Sequence, residues 1–257
     1  MLGPGYGARV ESIFDREDFN RSLFFPRPDT SPGGEADQLV DVGGAKLHLR
    51  CHPAAARCTL LLFHGNGEVV ADYDAAAAEF ARIGAALAVV DYRGYGRSDG
   101  VPTLRTLIED ARPVAAAVLG DAPIVVMGRS IGGAAAHELY ARPPDRVVAV
   151  VLESSFFNLG NLIRRRGLLP PREFTADERA TFEPATKLAA GRLPLLVLHG
   201  VRDELIDPSE ALSAIDASGS ADKQLVLVPG HGHNDINLAD DYWRALGRFI
   251  DSVVKTP

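Results

Sequence analysis

Residues 124–133 read IVVMGRSIGG, and this stretch decides the fold of the chain. Its first four residues form an apolar run typical of a strand that is buried on both faces. A tight turn follows, in which the flanking glycines remove the side chains that would clash beside Ser130. The motif alone would also suit a simple turn, but its position between a predicted strand and a predicted helix favours a serine nucleophile.

Similar apolar runs recur along the chain, each bounded by Gly, Pro, Asp or His. The predicted buried strands are residues 60–63, 87–90, 124–127, 147–152, 195–198 and 225–228. The predicted helices are residues 73–83, 104–119, 131–141, 209–217 and 236–254. Because strands and helices alternate with short connections, the sequence predicts the α/β class, with a mostly parallel sheet covered by helices on both faces.

Three further segments complete the predicted organisation. Residues 38–42 and 46–51 flank a Gly-Gly turn and predict an antiparallel hairpin. Residues 1–37 are irregular and rich in Pro and Gly, so we expect an N-terminal arm followed by one domain over residues 38–257. Residues 157–193 are too long for an ordinary crossover and predict a small cap above the strand ends.

The composition narrows the classes of partner. The chain of 257 residues has 27 Lys and Arg against 34 Asp and Glu, a net charge of −7 that predicts no nucleic-acid partner. A hydrophobic fraction of 46% is enough for a core without structural metal. The first residues lack the apolar stretch of a signal peptide or a membrane span, so we expect a cytoplasmic protein.

A serine hydroxyl needs a base, and the base needs an acid that orients it. Asp203 follows the predicted strand 195–198, and His233 follows the predicted strand 225–228. Both therefore lie, like Ser130, at the carboxyl edge of the sheet, where open α/β sheets place their sites. The chain order Ser, Asp, His also agrees with the hydrolase template, so the sequence predicts a Ser130, Asp203, His233 triad.

Other residues are alternative members of this triad. His231 lies two residues before His233, and Asp207 lies four residues after Asp203. Glu153, just past the predicted strand 147–152, is a third possible acid. We rank them below the primary residues, and expect Asp207 to hold its loop or cap the following helix.

An oxyanion hole requires two N–H donors aimed at the developing alkoxide. The N–H of Ile131, immediately after the nucleophile, is the first candidate. The second is the N–H of Asn66 in the loop HGNGE at 64–68, because the flanking glycines let the backbone approach a substrate. Strand-to-helix geometry alone would also explain these glycines, and their spacing does not match a dinucleotide fingerprint.

Four side chains near these residues are candidates for the substrate pocket. Glu68 and Arg129 flank the predicted site and could select a charged substrate, although a surface salt bridge is the simpler interpretation. Phe156 and Phe157 could line an acyl pocket under the cap, although packing of the cap onto the sheet explains them equally well.

The motifs together resemble a known superfamily. They are HGNG at 64–67, DYRGYGRSDG at 91–100, GRSIGG at 128–133, HGVRDELIDPSEA at 199–211 and GHNDI at 232–236. This set is similar to the α/β-hydrolases, especially the ABHD-type protein depalmitoylases and their bacterial relatives. The resemblance implies an eight-stranded sheet and a cofactor-free serine esterase or thioesterase that needs no metal, with Ser130, Asp203 and His233 as its triad. The family pattern in GHND marks the histidine before Asn234, which favours His233 over His231.

Residues 1–37 depart from the depalmitoylases because they contain no cysteine. We therefore expect no stable membrane anchor, and a small-molecule ester or thioester that forms an acyl-enzyme on Ser130. Two alternatives stay open: an amidase or aminopeptidase-type hydrolase, and a hydrolase-fold protein that binds a small molecule without turnover.

The implied fold also constrains the two cysteines, Cys51 and Cys58. In this topology the strand 87–90 separates the strands that carry them. Since each strand adds about 4.8 Å, the separation exceeds the reach of a disulfide, and we expect both thiols to be free.

Overall fold

The computed structural model describes residues 12–171 and 173–254, and its centre is one eight-stranded sheet. The strands are β1 (Asp37–Asp41), β2 (Lys46–His52), β3 (Cys58–Phe63), β4 (Ala85–Val90), β5 (Ile124–Arg129), β6 (Val147–Glu153), β7 (Leu195–Gly200) and β8 (Lys223–Val228). Their order across the sheet is β1-β2-β4-β3-β5-β6-β7-β8. β2 runs antiparallel to β1 and β4, and the pairs from β4 to β8 are parallel. The predicted fold class, the hairpin and the position of β4 between the two cysteine-bearing strands are confirmed.

Helices cover both faces of this sheet. They are α1 (Glu17–Leu23), α2 (Ala77–Arg82), α3 (Leu104–Glu109), α4 (Ala111–Ala117), α5 (Gly133–Ala141), α6 (Leu159–Arg164), α7 (Ala176–Phe182), α8 (Pro184–Ala190), α9 (Ser209–Ala217) and α10 (Asp240–Val253). Single turns of 3-10 helix lie at Val70–Tyr73, Ser130–Gly132 and Ile236–Leu238. No helix in the described part of the chain is long and apolar enough to cross a membrane.

The core has two layers because successive side chains of a strand point to opposite faces. In β3, Leu61 and Phe63 pack with α3, α4, α5, α8 and α9 on one face. Leu60 and Leu62 pack with α2 and α10 on the other. Strands buried on both faces need continuous apolar runs, which explains why these strands were recognisable in the sequence.

Two predicted elements differ from their expected form. The helix expected over 104–119 is two helices, since Pro113 has no N–H to continue the hydrogen bonding of α3 and is tolerated only in the first turn of α4. The strand over 225–228, expected to be buried on both faces, is the edge strand β8, and Leu227 is 37% exposed.

The described part of the N-terminal arm packs into the core. Phe14, Phe19 and Leu23 are almost completely buried, and the Phe14 ring lies 4.4 Å from that of Phe182 on α7. The Asn20 amide oxygen accepts the N–H of Leu104 at the start of α3, with an N–O distance of 2.9 Å. Sequence analysis missed α1, and residues 1–11 of the expected arm lie outside the described residues.

The segment 157–193, which we expect to form a cap, contains three helices, α6, α7 and α8. It is anchored at its start by the Glu210 carboxylate on α9, whose Oε2 accepts the N–H groups of Phe157 and Asn158 at 2.7 and 3.0 Å. α8 packs against α5 and α9. The segment is therefore more regular than its proline-rich sequence suggested.

Candidate active site

Ser130 occupies the turn between β5 and α5. Its φ of 53° lies in the left-handed region, which non-glycine residues seldom adopt and which is often found at functional sites. The neighbouring glycines allow this turn: a Cβ on Gly128 would lie 2.6 Å from the Cβ of Ala136, and one on Gly132 would clash with the Phe63 carbonyl. The serine hydroxyl is thus placed at the carboxyl end of β5, as the sequence predicts.

The three residues predicted as a triad form one chain of hydrogen bonds. His233 Nε2 lies 3.0 Å from Ser130 Oγ, and His233 Nδ1 lies 2.8 Å from Asp203 Oδ2. The loop after β7 carries Asp203, and the loop after β8 carries His233. Residues that are far apart in the sequence meet because the carboxyl ends of parallel strands share one edge of the sheet.

The environment of Asp203 favours its ionised form. Its Oδ1 accepts the N–H groups of Leu205 and Ile206 at 2.9 and 2.8 Å. Burial by itself would raise the pKa of Asp203, but hydrogen bonds from His199, His233 and the Ile206 N–H hold this pKa well below its usual range. The carboxylate is therefore a fixed acceptor for His233.

The role of His199 is visible only in the folded protein. This fully buried residue of β7 has its Nε2 2.9 Å from the Ile206 carbonyl oxygen and 3.2 Å from Asp203 Oδ2. The only available signal was its place in the HGVRD motif, four residues before Asp203.

None of the alternative triad residues reaches the serine. His231 Nδ1 lies 2.9 Å from the Asp235 carbonyl oxygen, and Asp207 accepts the Ser209 N–H at the start of α9. Glu153 is buried and accepts a hydrogen bond from Tyr242. Across residues 12–171 and 173–254, none of the three hydrogen bonds to Ser130 or His233.

Asn66 and Ile131, the two residues expected to supply the oxyanion donors, line the same cavity as Ser130, and neither backbone N–H has an acceptor among the described residues. The Asn66 side chain fixes its loop: Oδ1 accepts from the Phe25 N–H at 3.0 Å and the Tyr95 hydroxyl at 2.7 Å, and Nδ2 donates to the Leu23 carbonyl at 2.5 Å. The loop is therefore held by the end of α1 and the segment that follows it, a contact that no pattern in the sequence indicated.

Arg129 and Glu68 form the expected salt bridge, but it is largely buried and does not lie at the surface. Arg129 is 12% exposed, and its guanidinium lies 2.5 Å from Glu68 Oε1 and 3.1 Å from Glu153 Oε1. It also donates to the His233 carbonyl at 3.2 Å and to the Asn234 side chain at 3.0 Å. Burial by itself would lower the pKa of Arg129, but the two carboxylates raise it, and the side chain stays charged.

The carboxylates of this cluster have further donors. Glu68 Oε2 accepts from the Gly65 N–H at 2.7 Å and the Tyr73 hydroxyl at 2.6 Å. Glu153 Oε2 accepts from the Tyr242 hydroxyl at 2.6 Å, and burial raises the pKa of Glu153. The cluster therefore links the loop of the expected oxyanion donor, the serine turn and the histidine loop.

A cavity of about 580 Å³ opens above the serine. Its apolar wall includes Leu23, Phe25, Phe156 and Leu162, so two of its residues come from the N-terminal segment that sequence analysis left unassigned. Phe157, the fourth pocket candidate, is not part of the lining and packs against the core. Within the described ranges no cluster of His, Cys, Asp or Glu has the arrangement of a metal site.

Comparisons with known proteins show the family and the fold of the chain. A family model described as serine aminopeptidase, S33, matches residues 54–191. Protein bem46 of Schizosaccharomyces pombe is 31% identical over 223 residues, which cover 82% of this chain and 73% of that protein. The α/β hydrolase domain-containing protein 17C of Mus musculus is 33% identical over 218 residues, which cover 79% of this chain and 62% of that protein. A solved esterase of Pyrococcus furiosus, 14% identical, matches with a TM-score of 0.70 over 90% of this chain and 100% of its own, a likeness of fold.

Proposed function

Because the chain belongs to the serine aminopeptidase S33 family of α/β-hydrolases, we propose that it is a serine hydrolase that cleaves carboxylic ester or thioester bonds of a small acyl substrate. The observation that carries this proposal is the hydrogen-bonded chain from Asp203 through His233 to Ser130, beside a cavity of about 580 Å³. A volume of this size suits a small ligand.

The first half of the proposed reaction forms an acyl-enzyme. His233 Nε2 takes the hydroxyl proton as Ser130 Oγ attacks the substrate carbonyl carbon. The resulting oxyanion accepts hydrogen bonds from the N–H groups of Ile131 and Asn66. When this intermediate collapses, the leaving alcohol or thiol takes the proton from His233, and the acyl group stays on Ser130.

The second half releases the acid. Water takes the place of the leaving group, gives a proton to His233 and attacks the acyl carbonyl carbon. Collapse returns the proton to Ser130 Oγ and frees the carboxylic acid. Asp203 supports both halves because its lowered pKa keeps it ionised beside the imidazolium.

A second candidate function is cleavage of amide bonds by the same residues. The family description, serine aminopeptidase, favours it, and so does the exposed carboxylate of Glu204 on the cavity wall, which suits a substrate ammonium group. Amino-acid p-nitroanilides compared with p-nitrophenyl esters would separate the two activities. A protein that binds without turnover would cleave neither. The expected cytoplasmic location, and the expectation of no stable membrane anchor and no nucleic-acid partner, remain predictions.

The decisive experiment replaces the nucleophile. Ser130→Ala should lower the rate on short p-nitrophenyl esters by about 10⁴-fold or more, because no other group can hold the acyl intermediate. A fluorophosphonate probe should label the unmodified protein at Ser130 and leave the variant unlabelled. Ser213→Ala, on α9 and outside the cavity lining, is the matched control and should keep both the esterase activity and the labelling by the probe. Full activity in Ser130→Ala, or no labelling of the unmodified protein, would refute the proposal.

A further inference from the structure

Three consecutive arginines, Arg164, Arg165 and Arg166, lie at the end of α6, and they differ in what they face. Arg165 and Arg166 line the cavity that contains Ser130 and His233, whereas Arg164 is exposed and donates to Asn161. The nucleophile cavity therefore has two cationic side chains in its cap wall.

Only one of these two charges lacks an ionic partner in the described structure. Arg165 lies 2.8 Å from the Glu210 carboxylate of α9, so its charge is compensated. Arg166 Nη1 donates to the Ser22 carbonyl at 3.2 Å, but no carboxylate among the described residues pairs with this guanidinium. Glu204 lines the same cavity but does not contact the Arg166 guanidinium, and Glu68 forms its ion pair with Arg129.

The surroundings of Arg166 are poor for an isolated cation. Its Nε is buried and has no hydrogen-bond partner among the described residues, and its guanidinium lies 6.0 Å from the centre of the Phe25 ring. Burial and the neighbouring charge of Arg165 lower the pKa of Arg166. Arg166 as a whole is half-buried, and a charge and an unused donor that are partly removed from water are costly unless they are paired, so this position favours an anion that enters the cavity.

We propose that Arg166 binds an anionic group, a carboxylate or a phosphate, on the substrate that is cleaved at Ser130. The planar guanidinium offers two parallel N–H donors, which match the oxygens of either group. The apolar residues Leu23, Phe25 and Phe156 would then contact the part of the substrate between this anion and the scissile bond. This inference rests on the proposed serine hydrolase function.

The test compares esters that carry an anionic group with neutral esters of similar size. Mono-p-nitrophenyl adipate, with a carboxylate at the end of its acyl chain, is compared with neutral p-nitrophenyl hexanoate. p-Nitrophenyl phosphonohexanoate, compared with the same neutral ester, carries a phosphate-like group instead. Carboxyphenyl hexanoate is compared with carbamoylphenyl hexanoate, a pair in which the charge lies on the leaving group. We expect kcat/KM to favour the charged ester by about tenfold in at least one pair, as hydrogen bonds to charged groups allow. Arg166→Gln should abolish that preference, and Arg166→Lys should keep part of it. Arg164→Gln, the matched control, should retain it.

A binding measurement keeps the inference separate from the proposed function. Adipate titrated into Ser130→Ala in a calorimeter should bind, and the added Arg166→Gln change should weaken this binding about tenfold. Equal kcat/KM for charged and neutral esters in every pair, or a preference that survives Arg166→Gln, would overturn the anion site while leaving the hydrolase proposal intact. No turnover of any ester and no probe labelling, with adipate binding that still depends on Arg166, would refute the hydrolase proposal and support the anion site. Absence of ester turnover and probe labelling, together with adipate binding that does not depend on Arg166, would overturn both the hydrolase proposal and the anion site.

Discussion

Arg129 precedes the nucleophile in the chain and contacts two carboxylates and the histidine loop in the folded protein. Its guanidinium reaches Glu68, Glu153 and the His233 carbonyl, which belong to three different loops or strands. Because all these contacts use one rigid planar group, a change in any loop alters the others. We regard Arg129 as a positioning residue, since its partners are protein groups.

Replacing Arg129 should therefore affect both stability and turnover. Arg129→Met would leave Glu68 and Glu153 without a counter-charge, and loss of one partner from a buried pair costs about 3–5 kcal/mol. Turnover of p-nitrophenyl butyrate should fall mainly in kcat, because the loops of His233 and Asn66 would lose their common support. Urea unfolding and steady-state kinetics measure the two effects.

The control for this experiment is Arg82→Met, which removes an exposed arginine paired with Glu79 on α2. Surface pairs of this kind contribute about 0–1 kcal/mol, so stability and kcat should hardly change. Arg129→Lys separates charge from shape: it should restore part of the stability but not the full kcat, since an ammonium group cannot reach all these acceptors. If Arg129→Met retained normal kcat, the positioning role would be wrong.

Among elements, α1 shows how a segment with a weak sequence signal is held by packing. It has seven residues, too few for a helix to be stable by itself, and its two core residues Phe19 and Leu23 stand in a polar stretch followed by prolines. It forms because these two side chains pack into the main core cluster, where the Phe19 ring lies 5.6 Å from that of Phe14. The chain after it then hydrogen bonds to Asn66.

We predict that Phe19→Ala lowers the free energy of unfolding by about 3–5 kcal/mol, because it removes a fully buried aromatic ring. Esterase activity should fall as well, since the contacts of Leu23 and Phe25 with Asn66 depend on the position of α1. Urea unfolding followed by circular dichroism measures the first effect. Glu17→Ala, exposed on the same helix, should change stability by less than about 0.5 kcal/mol. An unchanged unfolding free energy in Phe19→Ala would show that α1 does not stabilise the core.

The β-strands and the helices differed in how well the sequence predicted them. All eight strands were predicted: β1 and β2 from the Gly-Gly hairpin, and the other six from apolar runs, which strands covered on both sides need, as in β3 and β5. α1, α6, α7 and α8 were missed because short helices owe their stability to neighbours that no local pattern reveals. The division into an arm at 1–37, a hydrolase domain at 38–257 and a cap at 157–193 stays a prediction.

At the scale of the whole molecule, a buried polar cluster joins the antiparallel end of the sheet to the loop after β4. Asp91 makes two contacts: its Oδ2 lies 3.1 Å from His48 Nδ1, and its Oδ1 accepts the Val70 N–H at 3.0 Å. In the same cluster, Asp37 Oδ1 lies 3.0 Å from Arg50 Nε. Burial alone would raise the pKa of both aspartates, but their hydrogen bonds hold the pKa of Asp37 and of Asp91 at about 2. Burial would lower the pKa of His48, but its hydrogen bonds with Asp91 and Asp37 raise it.

These shifts predict how stability depends on pH. Because the pKa of Asp37 and of Asp91 is lower in the folded state, their stabilisation is present above about pH 4 and is lost as the pH falls towards 2. Asp91, which is fully buried, contributes about 2 kcal/mol at neutral pH, and the partly exposed Asp37 contributes less because solvent screens its charge. The raised pKa of His48 acts in the opposite direction: its contribution is complete below pH 6.5 and is lost as the pH rises through the folded value.

Urea unfolding at a series of pH values between 2 and 8 tests this expectation. The free energy of unfolding should fall steeply below pH 4, and Asp91→Asn should be less stable at pH 7 and show a shallower acid limb. Asp121→Asn, in an exposed turn, should follow the unmodified protein at every pH. The same acid limb in Asp91→Asn and in the unmodified protein would contradict the assignment.

The sequence by itself determined the order of the eight strands, the helices α2, α5, α9 and α10, and the residues that meet at the carboxyl edge of the sheet. These follow from local rules: apolar runs mark strands buried on both faces, and parallel strands bring Ser130, Asp203 and His233 to one edge. Only the tertiary structure decided the contacts of Arg129, the docking of α1 against Asn66 and, within the described part of the chain, the lack of an ionic partner for Arg166. These features depend on side chains that are distant in the sequence and meet through packing and charge pairing. A local sequence pattern does not predict which distant residue will pair with a given charge.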